Sequence, residues 1–213
     1  MPRLSEQTRA TRRRHILTSA WGCFSRNGYH ATSMDDVIAA TGMSSSAVYR
    51  YFSGKDELID ATAGEGLVLI RDLFANALTE DPAPTPRDIL NLLVNDVRRH
   101  TENPDYDLSR IAIQSWAEAM RRPTLRDSTR QLYLRAREQL TLLAERWQRD
   151  GYLAEDADPS ATATVLFSLL PGLIVSHHLV DSIPVEVLDQ GIVDLASALT
   201  SRGVTNSGTP SSA

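Results

Sequence analysis

Apolar residues recur along this chain at spacings of three and four, and nowhere do they alternate for long with polar ones. That single property excludes most folds. Strands need a period of two and helices a period of 3.6, so the chain is predicted to be all-α. Glycine and proline cut the pattern into about nine helices. The first is expected over residues 5–26, with Ile16, Leu17, Ala20, Trp21 and Phe24 on one stripe and Asn27-Gly28 ending it.

Two short helices come next. Ser33 and Asp36, three apart, have the form of a capping box, and Val37 and Ile38 supply the apolar side of the helix they open. Gly42 forces a turn. A second short helix is expected over residues 45–51, capped by Ser44, and Ser53-Gly54 breaks the chain again before a long helix that runs from Lys55 to about residue 78.

Proline then sets the rhythm. Pro86, Pro123 and Pro159 suit first turns of helices, Asn103-Pro104 separates a helix reaching about residue 99 from one over 105–120, and Pro171-Gly172 predicts a kink. Ser182-Ile183-Pro184 introduces the last helix. Residues 203–213 have little to bury and are expected to be disordered.

The formal net charge of −5 averages two opposite halves. Residues 1–55 carry eight basic side chains (Arg3, Arg9, Arg12, Arg13, Arg14, Arg26, Arg50 and Lys55) against three acidic ones; the remainder holds 14 basic against 24 acidic. A sign reversal of this kind predicts two parts with different partners. The single cysteine, Cys23, excludes an internal disulfide. No run of 18 uninterrupted apolar residues and no signal-peptide core is present, so a soluble, cytoplasmic chain without membrane contact is expected.

Two short helices joined by a glycine turn are the sequence form of a helix-turn-helix, whose second helix enters a major groove of double-stranded DNA. Val48 and Phe52, four apart, should face inward, which leaves Ser45, Ser46, Ala47, Tyr49 and Arg50 toward the outside. Ser44, Ser45, Ser46 and Ala47 occupy the helix start, where base edges are met. Arg50 is the long donor fork that can hold a guanine, worth about 1–3 kcal/mol of discrimination, although a solvated or phosphate-contacting arginine explains it equally. Ser33, with Thr32 beside it, offers a hydroxyl and free N–H groups to a phosphate, although plain capping explains Ser33 equally. Lys55 at a helix start opposes the helix dipole at a cost of about 0.3 kcal/mol or more, a conflict that a phosphate would remove. Tyr51 is balanced between partial burial and DNA contact. The arginines at 9, 12, 13 and 14 form a basic approach to the first helix.

The segment from Gly28-Tyr29-His30 through Ala47-Val48-Tyr49-Arg50-Tyr51-Phe52 to Lys55-Asp56-Glu57-Leu58 closely resembles the DNA-binding domain of the TetR family of transcriptional regulators, over about residues 12–61. The resemblance implies a homodimer with an operator-binding helix-turn-helix over residues 1–54 and a ligand-binding and dimerisation domain over 55–202. It also implies phosphate contacts by Tyr49 and Lys55, a small-molecule effector, and action as a repressor. Beyond residue 61 only the helical layout agrees.

Within that second domain Trp116, Met120, Tyr133, Trp147 and Phe167 are large side chains on helices that can surround a cavity, with His177, Arg110 or His178 as ionisable members. Leu188, Ile192, Leu195 and Leu199 form a stripe on the last helix, and Leu166, Leu170 and Ile174 belong to a preceding helix that is apolar over a wide arc; these are the expected dimer surfaces. His177 and His178 are adjacent and point apart, so no metal site is expected, and no cofactor is implied. No G-x-S-x-G, phosphate-loop or H-E-x-x-H motif occurs, which argues against an enzyme. The acidic total leaves open an alternative: a helical protein-interaction module with a purely structural helix-turn-helix and no effector.

Overall fold

In the computed structural model, residues 5–201 are described. Among them are nine helices and no strands: α1 (Glu6–Ala31), α2 (Met34–Thr41), α3 (Ser45–Tyr49), α4 (Lys55–Thr79), α5 (Pro86–Thr101), α6 (Leu108–Arg121), α7 (Pro123–Arg149), α8 (Pro159–Leu179) and α9 (Val185–Ser201). The stretch 203–213 lies outside the described residues.

Two hydrophobic cores organise these helices. Ile16, Leu17, Ala20 and Phe24 of α1 are buried with Val37 of α2, Val48 of α3, Phe52 and Leu58. Leu108 and Ile111 of α6 close this core from the side of the second domain. The larger core holds Phe74, Ile89, Leu93, Leu140, Leu143 and Trp147, with Leu166, Leu170 and Ile174 of α8. Each such side chain contributes about 1.5–3 kcal/mol on leaving water. Helices α4 and α6 contribute side chains to both cores and so connect them.

Helix ends follow the local chemistry. Ser33 and Asp36 form the predicted capping box of α2, and Thr85 and Asp88 form a second at α5, with Pro86 in the first turn. Gly42 closes α2 in the left-handed conformation at φ 64°.

Four expectations change. Helix α1 does not end at Asn27-Gly28: Gly28 takes φ 83° and ψ 164°, a kink within the helix, and one more turn reaches Ala31. Ser44 makes no side-chain capping bond, because its hydroxyl pairs with that of Ser46 at 3.3 Å. Helix α3 stops at Tyr49, with Arg50 and Tyr51 in the turn that follows. Helix α6 begins at Leu108, where the Asp107 carboxylate accepts from the N–H groups of Ser109 and Arg110.

Helix α8 continues through Pro171 and is long and apolar enough, by length and composition, to cross a membrane. Its buried stripe packs against α5 and α7.

Candidate nucleic-acid interface and inner cavity

Helix α3 is braced from within. Val48 and Phe52 are buried, as their spacing predicted, while Ser44, Ser45, Ser46, Tyr49 and Arg50 are exposed and Ala47 is half-buried. Tyr51 is half-buried against the N-terminal core. Beside the start of α3, Arg12, His15, Met43, Ser44 and Ala47 line one shallow groove of about 470 Å³. The basic approach along α1 is not uniform. Arg13 lies over the Phe52 ring at 5.2 Å and meets Glu65 at 3.3 Å, so it is committed to packing.

Thr32 is a correction. Its side chain is buried and its hydroxyl donates to the Gly28 carbonyl at 2.8 Å, which closes the end of α1 and takes it away from any phosphate. Ser33 stays exposed, but its hydroxyl donates to the Asp36 carboxylate at 2.7 Å while accepting from the Asp36 N–H at 3.1 Å. The Ser33 hydroxyl, together with the Ser33 N–H that donates to the same carboxylate at 2.8 Å, holds the Asp36 carboxyl below its usual range. Lys55 resolves its conflict with the helix dipole inside the protein: Nζ donates to the His30 carbonyl at 3.0 Å, at the negative end of α1.

The kink at Gly28 brings the end of α1 onto α6. The Tyr29 N–H donates to Gln114 Oε1 at 2.7 Å, and Gln114 Nε2 donates to the Phe24 carbonyl at 3.2 Å. The Tyr29 hydroxyl meets that of Ser115 at 2.7 Å in a buried contact, and Ser115 also donates to the Ile111 carbonyl. Burial pushes the Tyr29 phenol well above its ordinary range.

Ser115 also lines a partly open cavity of about 60 Å³ among α4, α5, α6, α7 and α8. Trp116 and Tyr133 belong to its wall, with Trp116 Nε1 donating to the Tyr133 hydroxyl. Three polar members come from helices that sequence reasoning did not bring together. His100 Nδ1 lies 3.2 Å from Asp96 Oδ2, and Thr62 Oγ1 is buried without a hydrogen-bond partner. The hydrogen bond to the Asp96 side chain raises the His100 pKa against the opposing effect of burial. A usable signal was present: Asp96 and His100 continue the apolar stripe of Ile89 and Leu93 along α5.

The other expected cavity residues lie elsewhere. Trp147 is fully buried in the larger core, where its Nε1 donates to the Pro84 carbonyl at 2.7 Å. Met120 is 81% exposed because it lies on the outer face of α6. His177 meets Ser182 at 2.8 Å and His178 meets Ser109 at 2.6 Å, yet the two rings do not point apart as expected: they touch edge to face, with centroids 5.1 Å from each other. Phe167 packs edge-on against Tyr133 at 5.1 Å, in a neighbouring groove outside the cavity. Among the expected dimer residues, Leu166, Leu170 and Ile174 are buried in the protein's own core and Leu188 packs against it. Ile192 and Leu195 are exposed, and the Leu199 side chain lies outside the described residues.

Comparison with known proteins places this arrangement. The profile of bacterial regulatory proteins of the tetR family matches residues 16–62, and that of the BetI-type transcriptional repressor C-terminal region matches residues 86–199. The HTH-type transcriptional repressor Rv1474c of Mycobacterium tuberculosis is 32% identical over 131 residues, 55% of this chain and 63% of that one. AcnR of Corynebacterium diphtheriae is 28% identical over 114 residues, 53% of this chain and 54% of that one. The matched stretches thus span less than two thirds of these relatives. A TetR regulator from Haloarcula marismortui superposes with a TM-score of 0.69 at 22% identity, covering 89% of this chain and 98% of that one. Salmonella enterica GusR gives 0.64 at 24% identity, covering 94% and 96%. With one profile spanning more than half of its length and the other its helix-turn-helix, the chain belongs to the tetR family of bacterial regulatory proteins.

Proposed function

We propose that this chain is a DNA-binding transcriptional regulator, a non-catalytic cytoplasmic repressor that acts as a homodimer and leaves its operator when a small molecule enters the inner cavity. The observation that carries the reading is the exposed set Ser45, Ser46 and Tyr49 on a short helix, with exposed Arg50 in the turn just after it, anchored by buried Val48 and Phe52. A purely structural helix-turn-helix has no need of an exposed arginine and tyrosine at that position. In a dimer, two such helices would enter successive major grooves, about 34–36 Å apart.

DNA contact is assigned to Ser33, Ser44, Ser45, Ser46, Ala47, Tyr49, Arg50, Tyr51 and Lys55, with Arg12 beside the start of α3 as the nearest basic companion. The effector cavity is assigned to Trp116, Tyr133, Asp96, His100 and Thr62. The unpartnered Thr62 hydroxyl supports an occupant with a polar atom, since buried hydroxyls are otherwise satisfied. The contact of Ser115 with Tyr29 supports a direct link from cavity to helix-turn-helix. An effector acts only through its differential affinity for the two states.

The dimer surface is assigned to the outward face of α8 and α9. Val165, Gly172, Val175 and Leu179 share one exposed stripe on α8, and Ile192 and Leu195 are exposed on α9. Selecting bound fragments from bacterial genomic DNA with the purified chain, then screening compounds that release them, tests the reading. Failure to enrich a two-half-site sequence removes it.

A further inference from the structure

Along α7, Arg126, Arg130 and Arg137 fall on one side and line a groove of about 310 Å³ with Tyr133, Leu134 and Phe167. None of the three guanidinium groups forms an ion pair or hydrogen bond among the described residues. Some other arginines of the same scaffold are matched: Arg122 meets Asp60 at 2.9 Å, Arg110 meets Asp107 at 3.3 Å, and Arg146 donates to the Leu78 and Glu80 carbonyls. Arg99, Arg135 and Arg149 are exposed and unmatched among the described residues too, so what distinguishes Arg126, Arg130 and Arg137 is the groove they share. Arg126 and Arg130 are one turn apart, close enough to share one anion, whereas Arg137 lies about 16 Å along the helix from Arg126 and adds only longer-range attraction. The acids nearest in sequence, Asp127 and Glu138, do not line the groove.

This groove shares Thr129 and Tyr133 with the inner cavity, so the two are separated by one layer of side chains. The inner space is mostly apolar and holds one carboxylate, Asp96, already matched by His100. A second anion is unwelcome there and welcome among the arginines. At about 60 Å³ the inner space is smaller than the roughly 150 Å³ cavity that takes one benzene. An effector larger than a few atoms therefore extends beyond this space, and the groove adjoins it at Thr129 and Tyr133.

We propose that cavity and groove form one site for an amphiphilic anion. Its carboxylate or phosphate head is held by Arg126 and Arg130, with Arg137 adding longer-range attraction, and its short apolar chain passes Tyr133 into the inner cavity. The proposal rests on the inner cavity being the effector site. Tyr133 is the gate, because its hydroxyl is held by Trp116 and must move for the chain to pass.

The test uses the full chain, titrated with octanoate, octyl phosphate, octanol and octyltrimethylammonium, with binding read by calorimetry and tryptophan emission. A W116F variant isolates the signal of the gate. The expected result is that both anions bind at least about tenfold tighter than octanol, that R130Q weakens the anions by about tenfold, and that it leaves octanol unchanged. A preference between octanoate and octyl phosphate identifies the head. Equal binding of octanol or the ammonium compound overturns the proposal, as does unchanged anion affinity in R130Q or no anion binding at all. Anion binding without a change at Trp116 overturns the inner part. Dissociation of a dimer by R130Q in sedimentation assigns the arginines to an interface between copies and also overturns it. DNA-fragment binding by the ligand-free chain is measured in parallel; its loss removes the regulator reading without touching the anion result.

Discussion

The hydroxyl of Tyr29 lies 2.7 Å from that of Ser115, in a buried contact that joins the end of α1 to the wall of the inner cavity. The pair is asymmetric, because Ser115 also donates to the Ile111 carbonyl at 2.8 Å. Removing the phenol in Tyr29→Phe leaves Ser115 satisfied and should cost about 0.5–1.5 kcal/mol. Ser115→Ala instead strands the buried phenol and should cost about 1–3 kcal/mol. Urea unfolding of both variants and of the double variant checks this; the double variant should resemble Tyr29→Phe alone. Equal losses in the two single variants would show that the contact is not formed.

Lys55 reaches the His30 carbonyl at 3.0 Å, so its ammonium sits between α1 and α4 before any DNA arrives. Lys55→Ala should weaken binding to all DNA sequences alike and lower the salt slope by about one unit or less. Affinity measured against salt concentration, on operator and on unrelated DNA, decides it. Loss of stability with unchanged DNA affinity would reduce Lys55 to a clamp on the end of α1.

Arg50 is exposed just past the end of α3, with no intramolecular partner among the described residues. Arg50→Ala should relax preference at particular operator positions, by about 1–3 kcal/mol each, while other positions keep theirs. Binding to a randomised operator library reads this directly. Uniform weakening across the library would confine Arg50 to the phosphates.

These residues also show what a sequence can and cannot reveal. Val48 and Phe52 were legible because an i, i+4 pair on so short a helix has one inward direction. The capping box of Ser33 and Asp36 was legible because its chemistry is local. Thr32 was misread because its partner, the Gly28 carbonyl, exists only where a glycine kink lets α1 continue. Trp147 and Met120 share the size of Trp116, and only packing separates core, surface and cavity wall. On α8 the sequence shows an apolar helix but not which arc meets α5 and α7, so the inward stripe was taken for the outward one. Asp96, His100 and Thr62 converge from α4 and α5, a juxtaposition that no local pattern encodes.

His100 gives a pH-dependent signature. Its pKa is raised above 6.5, chiefly by the hydrogen bond to the Asp96 side chain. The stability this adds is therefore fully present below pH 6.5, the unfolded value, and is lost as pH rises through the folded value. Comparing wild type with His100→Gln by urea unfolding from about pH 5.5 to 8.5 isolates the contribution. The wild-type advantage should shrink with rising pH; an advantage that grows with pH would mean that His100 is held neutral.

The two faces of α8 separate association from folding. Leu170 is buried against the protein's own core, so Leu170→Ala leaves a cavity and should cost about 2–5 kcal/mol of stability. Leu179 is 78% exposed on the stripe that also carries Val165, Gly172 and Val175. A charge there costs the isolated fold little, since the site already faces water, but it would be stranded between two copies. Leu179→Glu should thus sediment as a monomer at micromolar concentration with its helical content intact. Leu170→Ala should remain dimeric wherever it remains folded. DNA binding sharpens the distinction, because one protomer holds only one half-site. The Leu179→Glu variant should lose affinity for a two-half-site operator while keeping its contacts to a single half-site. If Leu179→Glu stays dimeric and Leu170→Ala falls apart into folded monomers, the inward and outward faces have been assigned the wrong way round.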